Sequence, residues 1–301
     1  MPISSAGILA GLILPDLAAI LRPVMEVFVV LLMTLAYSRL DWSGIRTISG
    51  KPLLTAMILL WVLAAVPGLS AAAGWALALP SVLLTAIILN AIAPPITSSV
   101  PFCQLLGLDA ALALRVTLIA TLLMPVTVPA SILLLLGVTI DLDPGEFALR
   151  AAVFIGLPLV LSWLIRRSPR LTARLNRGTE VDGITAFILM IIAIGIMDGV
   201  TAQILAEPTE ALAILAAAFG VSILFHGLSG LVFWRLGERT AISIALTSGS
   251  RNLVLMLVII GDAMGPAFGL YVALGQVPIY LMPAIIQTFW RSRGGRTVPR
   301  A

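Results

Sequence analysis

Apolar positions along this chain come in long runs, and each run ends where proline, glycine and acidic residues gather. The runs lie at 5–21, 24–38, 52–72, 76–106, 110–137, 147–166, 183–202, 209–234, 240–261 and 264–290. Most reach the roughly 20 residues that a helix needs to cross a hydrocarbon layer. Turn chemistry separates them: "LRPV" at 21–24, "DLDPGE" at 141–146, "AEPTE" at 206–210 and "GDAMGP" at 261–266. The pattern predicts an all-α membrane protein of ten transmembrane helices.

Composition strengthens this reading. Of 301 residues, 60% are hydrophobic and only 11% charged, with a mean hydropathy of +1.13. A soluble chain of this length needs more polar surface to cover its core. The opening stretch, "MPISSAGILAGLILPDL", has no basic residue before its apolar run, so a cleaved signal peptide is not expected. A single cysteine, Cys103, excludes an internal disulfide and a multi-cysteine metal site.

A pI near 10.0 suggests nucleic acid until the charges are placed. Arg39, Arg46 and Lys51 follow the second run, and Arg166, Arg167, Arg170, Arg174 and Arg177 follow the sixth. Arg235 and Arg239 follow the eighth; Arg291, Arg293, Arg296 and Arg300 follow the tenth. All fall on one side, while Asp141, Asp143, Glu146, Glu207 and Glu210 fall on the other. The asymmetry is a topology signal that places both termini in the cytoplasm of an inner or plasma membrane, and no nucleic-acid partner is expected. Arg22, Arg115, Arg150 and Arg251 escape the pattern. Arg22 and Arg150 are expected at external ends of spans, and Arg115 to snorkel or to pair with Asp109. Arg251 falls near the middle of its span.

The fourth and ninth spans share a plan. Shifted by 153 residues, "PPITSS" (94–99) overlies "TSGSRN" (247–252), Asp109 overlies Asp262 and Pro125 overlies Pro278. Five spans per half is an odd number, so the second copy enters the membrane in the opposite sense. This is the inverted-repeat plan of secondary transporters, with residues 1–142 as the first repeat and 143–301 as the second. Pro94 and Pro95 break one helix by removing two donors. Thr247, Ser248, Gly249 and Ser250 break the other through glycine freedom and competing hydroxyls.

At these residues the chain resembles the bile acid:sodium symporter family. The resemblance covers nearly the whole length. It includes "SRLDWSG", "PPITSS" followed by "LLGLDAALAL", and above all "LFHGLSGLVFWRLGERTAISIALTSGSRN". It implies spans 1, 2, 6 and 7 as a panel and spans 3–5 and 8–10 as a core, with crossed broken helices and the substrate cavity between panel and core. The chain departs from the family at the residues that hold sodium. Thr247 stands where the ninth-helix pattern has glutamate and Arg251 where it has glutamine, while Gly249 and Asn252 are kept. Ser98-Ser99 replaces the fourth helix's Ser-Asn, and Trp61 and Val62 stand near a third-helix glutamine.

A guanidinium 4 Å from a sodium ion would repel it by about 4 kcal/mol at an effective dielectric of 20. No cofactor or metal is therefore expected, and sodium is disfavoured. Arg251 has two readings beyond simple snorkelling. It is a tether, donating to carbonyls near Leu246 and to Ser98 or Ser99, or its fork takes a carboxylate substrate. The two are compatible.

The crossover candidates are Pro94, Pro95, Thr97, Ser98, Ser99, Thr247, Ser248, Gly249, Ser250, Arg251 and Asn252. Asn90, Gln104, Thr117, Thr121 and His226 are candidates for the cavity or for coupling. His226 reads as a packing histidine before a proton carrier, and Cys103 alone is weak support for arsenite transport. Asp182 and Asp198, about 24 Å apart along a helix, form no dyad. No paired acids, HExxH or nucleophile–His–acid set supports an enzyme. The expected function is secondary transport of a small organic anion by alternating access, without sodium. A sodium-coupled symporter with relocated ion sites, or a non-transporting sensor of the same fold, stands as the alternative. Substrate and oligomeric state are not legible.

Overall fold

The computed structural model describes residues 2–40, 52–137, 143–176, 179–260, 263 and 265–292. Arg46, Lys51, Asp141, Arg177, Asp262, Arg293, Arg296 and Arg300 lie outside them, and so do the expectations placed on those residues. The described residues are helical, with one isolated bridge between unwound segments. In order they form α1 Pro2–Ile13, α2 Pro15–Ser38, α3 Pro52–Ala76, α4 Ser81–Ile92, α5 Ser99–Leu105, α6 Ala110–Leu136 and α7 Gly145–Arg166. There follow α8 Pro169–Asn176, α9 Thr179–Gly195, α10 Val200–Ala206, α11 Pro208–Val232, α12 Glu238–Gly249, α13 Leu253–Ile260 and α14 Pro266–Ser292.

Among the described residues, seven stretches are long and apolar enough to cross a membrane: α2, α3, α6, α7, the α9–α10 stretch, α11 and α14. The protein is therefore a multi-pass membrane protein. The expected ten spans differ from this in two ways. The fourth and ninth are each divided, as α4/α5 and α12/α13. The first two are also cut elsewhere than "LRPV", since the chain breaks at Leu14 (φ −120°, ψ 71°) and Pro23 lies inside α2. Leu14 precedes Pro15, and a residue before proline is pushed out of the helical region. Arg22 thus sits within α2 rather than at the end of a span. The 12 residues of α1 rise only about 18 Å, short of a crossing.

Two compact units divide the chain. The first comprises residues 1–40, 142–214 and 254–274, the second 41–141, 215–253 and 275–301. In the first, α9 packs between α1 and α2 through small residues. A Cβ at Gly7 would meet the Met190 carbonyl at 3.0 Å, and one at Gly11 the Ile194 carbonyl at 2.9 Å. Such close backbone approach is how helices associate where lipid supplies no hydrophobic drive. Arg39 pairs with Asp182 at 2.7 Å, and Arg166 donates to the Leu40 carbonyl at 2.6 Å. Arg150 pairs with Glu146 at 2.9 Å.

In the second unit, Ile58 and Val62 of α3 pack with Leu112 and Val116 of α6, Phe233 and Ile244. A second cluster joins Val66, Ala91 and Phe225. Helix bounds recur within the chain. α3 and α11 both have 25 residues, and α6 and α14 both have 27. Their starts are each separated by 156 positions (208 − 52 and 266 − 110). The bridged residues Pro95 and Arg251 are separated by the same 156 (251 − 95). The backbone correspondence therefore lies three positions away from the 153-residue overlay of sequence motifs.

Candidate functional site

Both divided helices unwind over a few residues. After α4, Ala93 turns extended (φ −61°, ψ 142°) and Pro94 and Pro95 offer no N–H to continue the helix. After α12, Ser250 turns extended (φ −99°, ψ 105°). Unwound backbone at membrane depth must find partners within the protein, and these two segments find each other. Ile96 N donates to Ser250 O at 2.9 Å and Asn252 N to Pro94 O at 2.8 Å, an antiparallel pairing centred on Pro95 and Arg251. At that centre the neighbours make both bonds, so the missing N–H of Pro95 leaves no ladder bond unmade.

Arg251 is 1% exposed and the largest fully buried side chain among the described residues. Its Nη1 donates to Ala93 O at 2.9 Å and to Val62 O at 3.2 Å. Both carbonyls are left over by helix breaks. Ala93 is where α4 ends. Val62 lies in a π-turn over Trp61–Ala65, where the Val66 N–H reaches back to Trp61 O, and Pro67 has no N–H to offer Val62. The guanidinium carbon lies 5.5 Å from the centre of the Phe225 ring, within cation–π range. Nε and Nη2 have no hydrogen-bond partner. The expected carbonyls near Leu246 and the hydroxyls of Ser98 and Ser99 are not its partners. The tether runs to the end of the other divided helix and to α3.

A hydroxyl network supports this from α11 and α12. Trp61 Nε1 donates to Ser229 Oγ at 2.9 Å, which donates to Ser248 Oγ at 2.9 Å. His226 Nδ1 donates to Ser222 O at 2.7 Å, which leaves Nε2 to accept from Ser250 Oγ at 3.3 Å. In the neutral ring the proton therefore sits on Nδ1. Gly249 lies against the imidazole, and a Cβ there would clash with its ring atoms. Only glycine lets α12 approach so closely.

Other expected residues divide. Thr247 Oγ1 bonds Ser243 O of its own helix at 2.8 Å, and Thr121 Oγ1 bonds Thr117 O at 2.8 Å. Ser99 Oγ and Thr117 Oγ1 lie 3.4 Å apart. Asn90 and Asn252 are buried beside the breaks, with Thr97 and Ser98 in the turn between α4 and α5. Gln104 is exposed near the end of α5 and is not brought to the crossing. Arg115 does not pair with Asp109, whose carboxylate instead caps α6 through Leu112 N at 2.9 Å. A cavity of about 470 Å³ lined by Leu108, Asp109, Ala110, Ala111, Arg239 and Thr240 opens at that end of the unit.

Sequence reasoning missed Phe225, Ser229 and the Val62 carbonyl. Pro67, at the start of a turn inside an apolar run, was the available signal for the freed carbonyl. Among the described residues no three His, Cys, Asp or Glu gather to hold a metal. The paired breaks supply backbone oxygens, and a cation already takes two of the carbonyls nearby.

The profile of the Sodium Bile acid symporter family matches residues 26–208. No curated protein matches the chain.

Proposed function

The chain belongs to the sodium bile acid symporter family, and on that premise we propose that it carries a small organic anion across the membrane without sodium. Members of this family are secondary transporters, not enzymes, so a small-molecule substrate and a lipid bilayer are its partners. The observation that carries the sodium-free reading is Arg251 Nη1 bonded to Ala93 O and Val62 O. The resemblance implies a sodium ligand at the position of Arg251 and another near Val62. Here the first position carries the guanidinium itself, the Val62 carbonyl is bonded to it, and Thr247 turns its hydroxyl back onto its own helix. The residues present do not fit a sodium ion, because the carbonyls are donated to and the carboxylate is absent. A fixed cation replaces an exchangeable one.

The equal lengths of α3 and α11, and of α6 and α14, at one separation support two repeats of related backbone. With α4/α5 and α12/α13 each taken as one broken crossing, the antiparallel pairing at Pro95 and Arg251 supports an inverted relation between them. The division into two compact units supports alternating access by movement of one body against the other. The basic ends of the helices favour cytoplasmic termini. His226 serves packing: its first proton is committed to Ser222 O, and a second would add charge one residue from Arg251.

Reconstituted in liposomes, the protein should take up labelled organic acids at the same rate in sodium and in choline buffers. Uptake that stops without sodium overturns the sodium-free reading. Binding of an acid with no flux of it would make the protein a sensor.

A further inference from the structure

We propose that the free edge of Arg251, formed by Nε and Nη2, seats a monovalent anion, either an oxyanion or a halide. The inference rests on the transporter reading for its meaning in the cycle, but its geometry stands by itself. Arg251 spends Nη1 on Ala93 and Val62 and leaves the other side of the guanidinium without a partner. That side carries the two parallel N–H groups that take a carboxylate or nitrate through both oxygens at once. Buried donors without partners are rare in native proteins, and an ion is one of the groups that can satisfy them.

The charge decides between ion and water. Arg251 is 1% exposed and makes no ion pair among the described residues. Carbonyl dipoles and the Phe225 ring face it with partial negative charge only. Water satisfies the two donors but leaves a net charge buried, whereas an anion satisfies both and neutralises it. Relatives balance a mobile cation with fixed oxygens. Here the fixed group is the cation, so the exchangeable partner is negative. Two sources share this chemistry: the carboxylate of the transported acid, or a free small anion such as chloride.

Purified wild-type protein in detergent, in choline MES at constant ionic strength, would be titrated with choline chloride, formate and benzoate, with benzamide as the uncharged control. Thermal stability should rise with a saturable dependence on anion and not respond to benzamide. The half-saturating concentration should increase about tenfold or more in R251K, which keeps the charge and loses the fork, and the response should vanish in R251Q. Chloride and formate acting as well as benzoate assign the site to a free small anion; benzoate acting alone assigns it to the substrate. No response to any anion, an equal response in R251Q, or benzamide matching benzoate overturns the proposal. If neither variant folds, soaked wild-type crystals decide it. Anomalous density within hydrogen-bonding reach of Nε and Nη2, from bromide or from 4-bromobenzoate soaked separately, supports the site, and a water there after both soaks overturns it. Liposome flux separates the two readings. Flux and anion response that both survive in R251Q defeat the site and leave the transporter, while saturable binding without flux defeats the transporter and leaves the site.

Discussion

Arg251 donates to the carbonyl of Ala93 at 2.9 Å, so a side chain from one unwound segment closes the end of the helix that leads into the other. Backbone bonds from Ile96 to Ser250 and from Asn252 to Pro94 flank it. Three contacts therefore hold the crossing: two from backbone and one from a charge. An insertion cost of about 2.5–3.5 kcal/mol for an arginine at this depth is offset only if the guanidinium answers groups that would otherwise be stranded. Ala93 O and Val62 O are such groups. Each would cost about 1–3 kcal/mol if left buried without a donor.

Restoring the family's ligands should restore the family's ion. Thr247→Glu together with Arg251→Gln supplies a carboxylate and an amide oxygen and removes the competing charge. The double variant should gain thermal stability in sodium over choline, about 1.4 kcal/mol at ten times its Kd, while wild type shows no difference. A double variant that folds and remains indifferent to sodium would mean that the serines at 98 and 99 and the side chain of Val62 leave too few oxygens.

Gly249→Ala tests the contact beneath His226. Because the imidazole is held by Ser222 O and Ser250 Oγ, it cannot swing aside. The backbone must move instead, at a cost of about 1–3 kcal/mol. Chemical unfolding in detergent should show that loss, and His226→Ala in the Gly249→Ala background should recover part of it. Equal losses with and without the histidine would place the strain elsewhere.

Much of this was legible because proline, glycine and charge act locally. Pro94–Pro95 and Gly249–Ser250 mark the breaks in the sequence itself, and Arg251 stands out as a charge inside an apolar run. Length and hydropathy gave the long helices. The partners of Arg251 were not legible, since Val62 lies 189 residues away and offers only a carbonyl, which every residue has. The "LRPV" turn misled for a similar reason. A proline eight residues beyond the start of a helix frees little backbone that a membrane protein cannot satisfy elsewhere, whereas Leu14, just before Pro15, had no such latitude. Gln104 was chosen by residue type, and its exposure near the end of the seven-residue α5 is a property that type does not give.

Arg39 and Asp182 form the shortest ion pair described, at 2.7 Å, yet their side chains are 33% and 63% exposed. Water and salt screen such a pair, so Asp182→Asn should change stability by less than about 1 kcal/mol. Transport should be unaffected in rate and in its dependence on ionic strength. A loss of flux in this variant would give this end of the first unit a part in the cycle that its exposure argues against.

Pro67 is the residue on which the Val62 contact depends, and Pro67→Ala tests whether that contact matters. Alanine supplies an N–H to the π-turn. If the turn persists, this N–H reaches back to Val62; if it relaxes to an α-turn, the Val66 N–H does so instead. In either case the Val62 carbonyl gains a donor from its own helix and competes for Arg251 less well. The helix itself should become more stable, since an interior proline costs about 3 kcal/mol, partly recovered here because the native fold already accommodates the ring. Thermal stability should therefore rise or hold while anion flux falls. That opposition separates a tether that positions Arg251 from one that only stabilises it, because a purely structural contact would move both quantities together. Unchanged flux with unchanged dependence on Arg251 would show that Ala93 alone is enough to hold the guanidinium, and the π-turn would then have no part in the site.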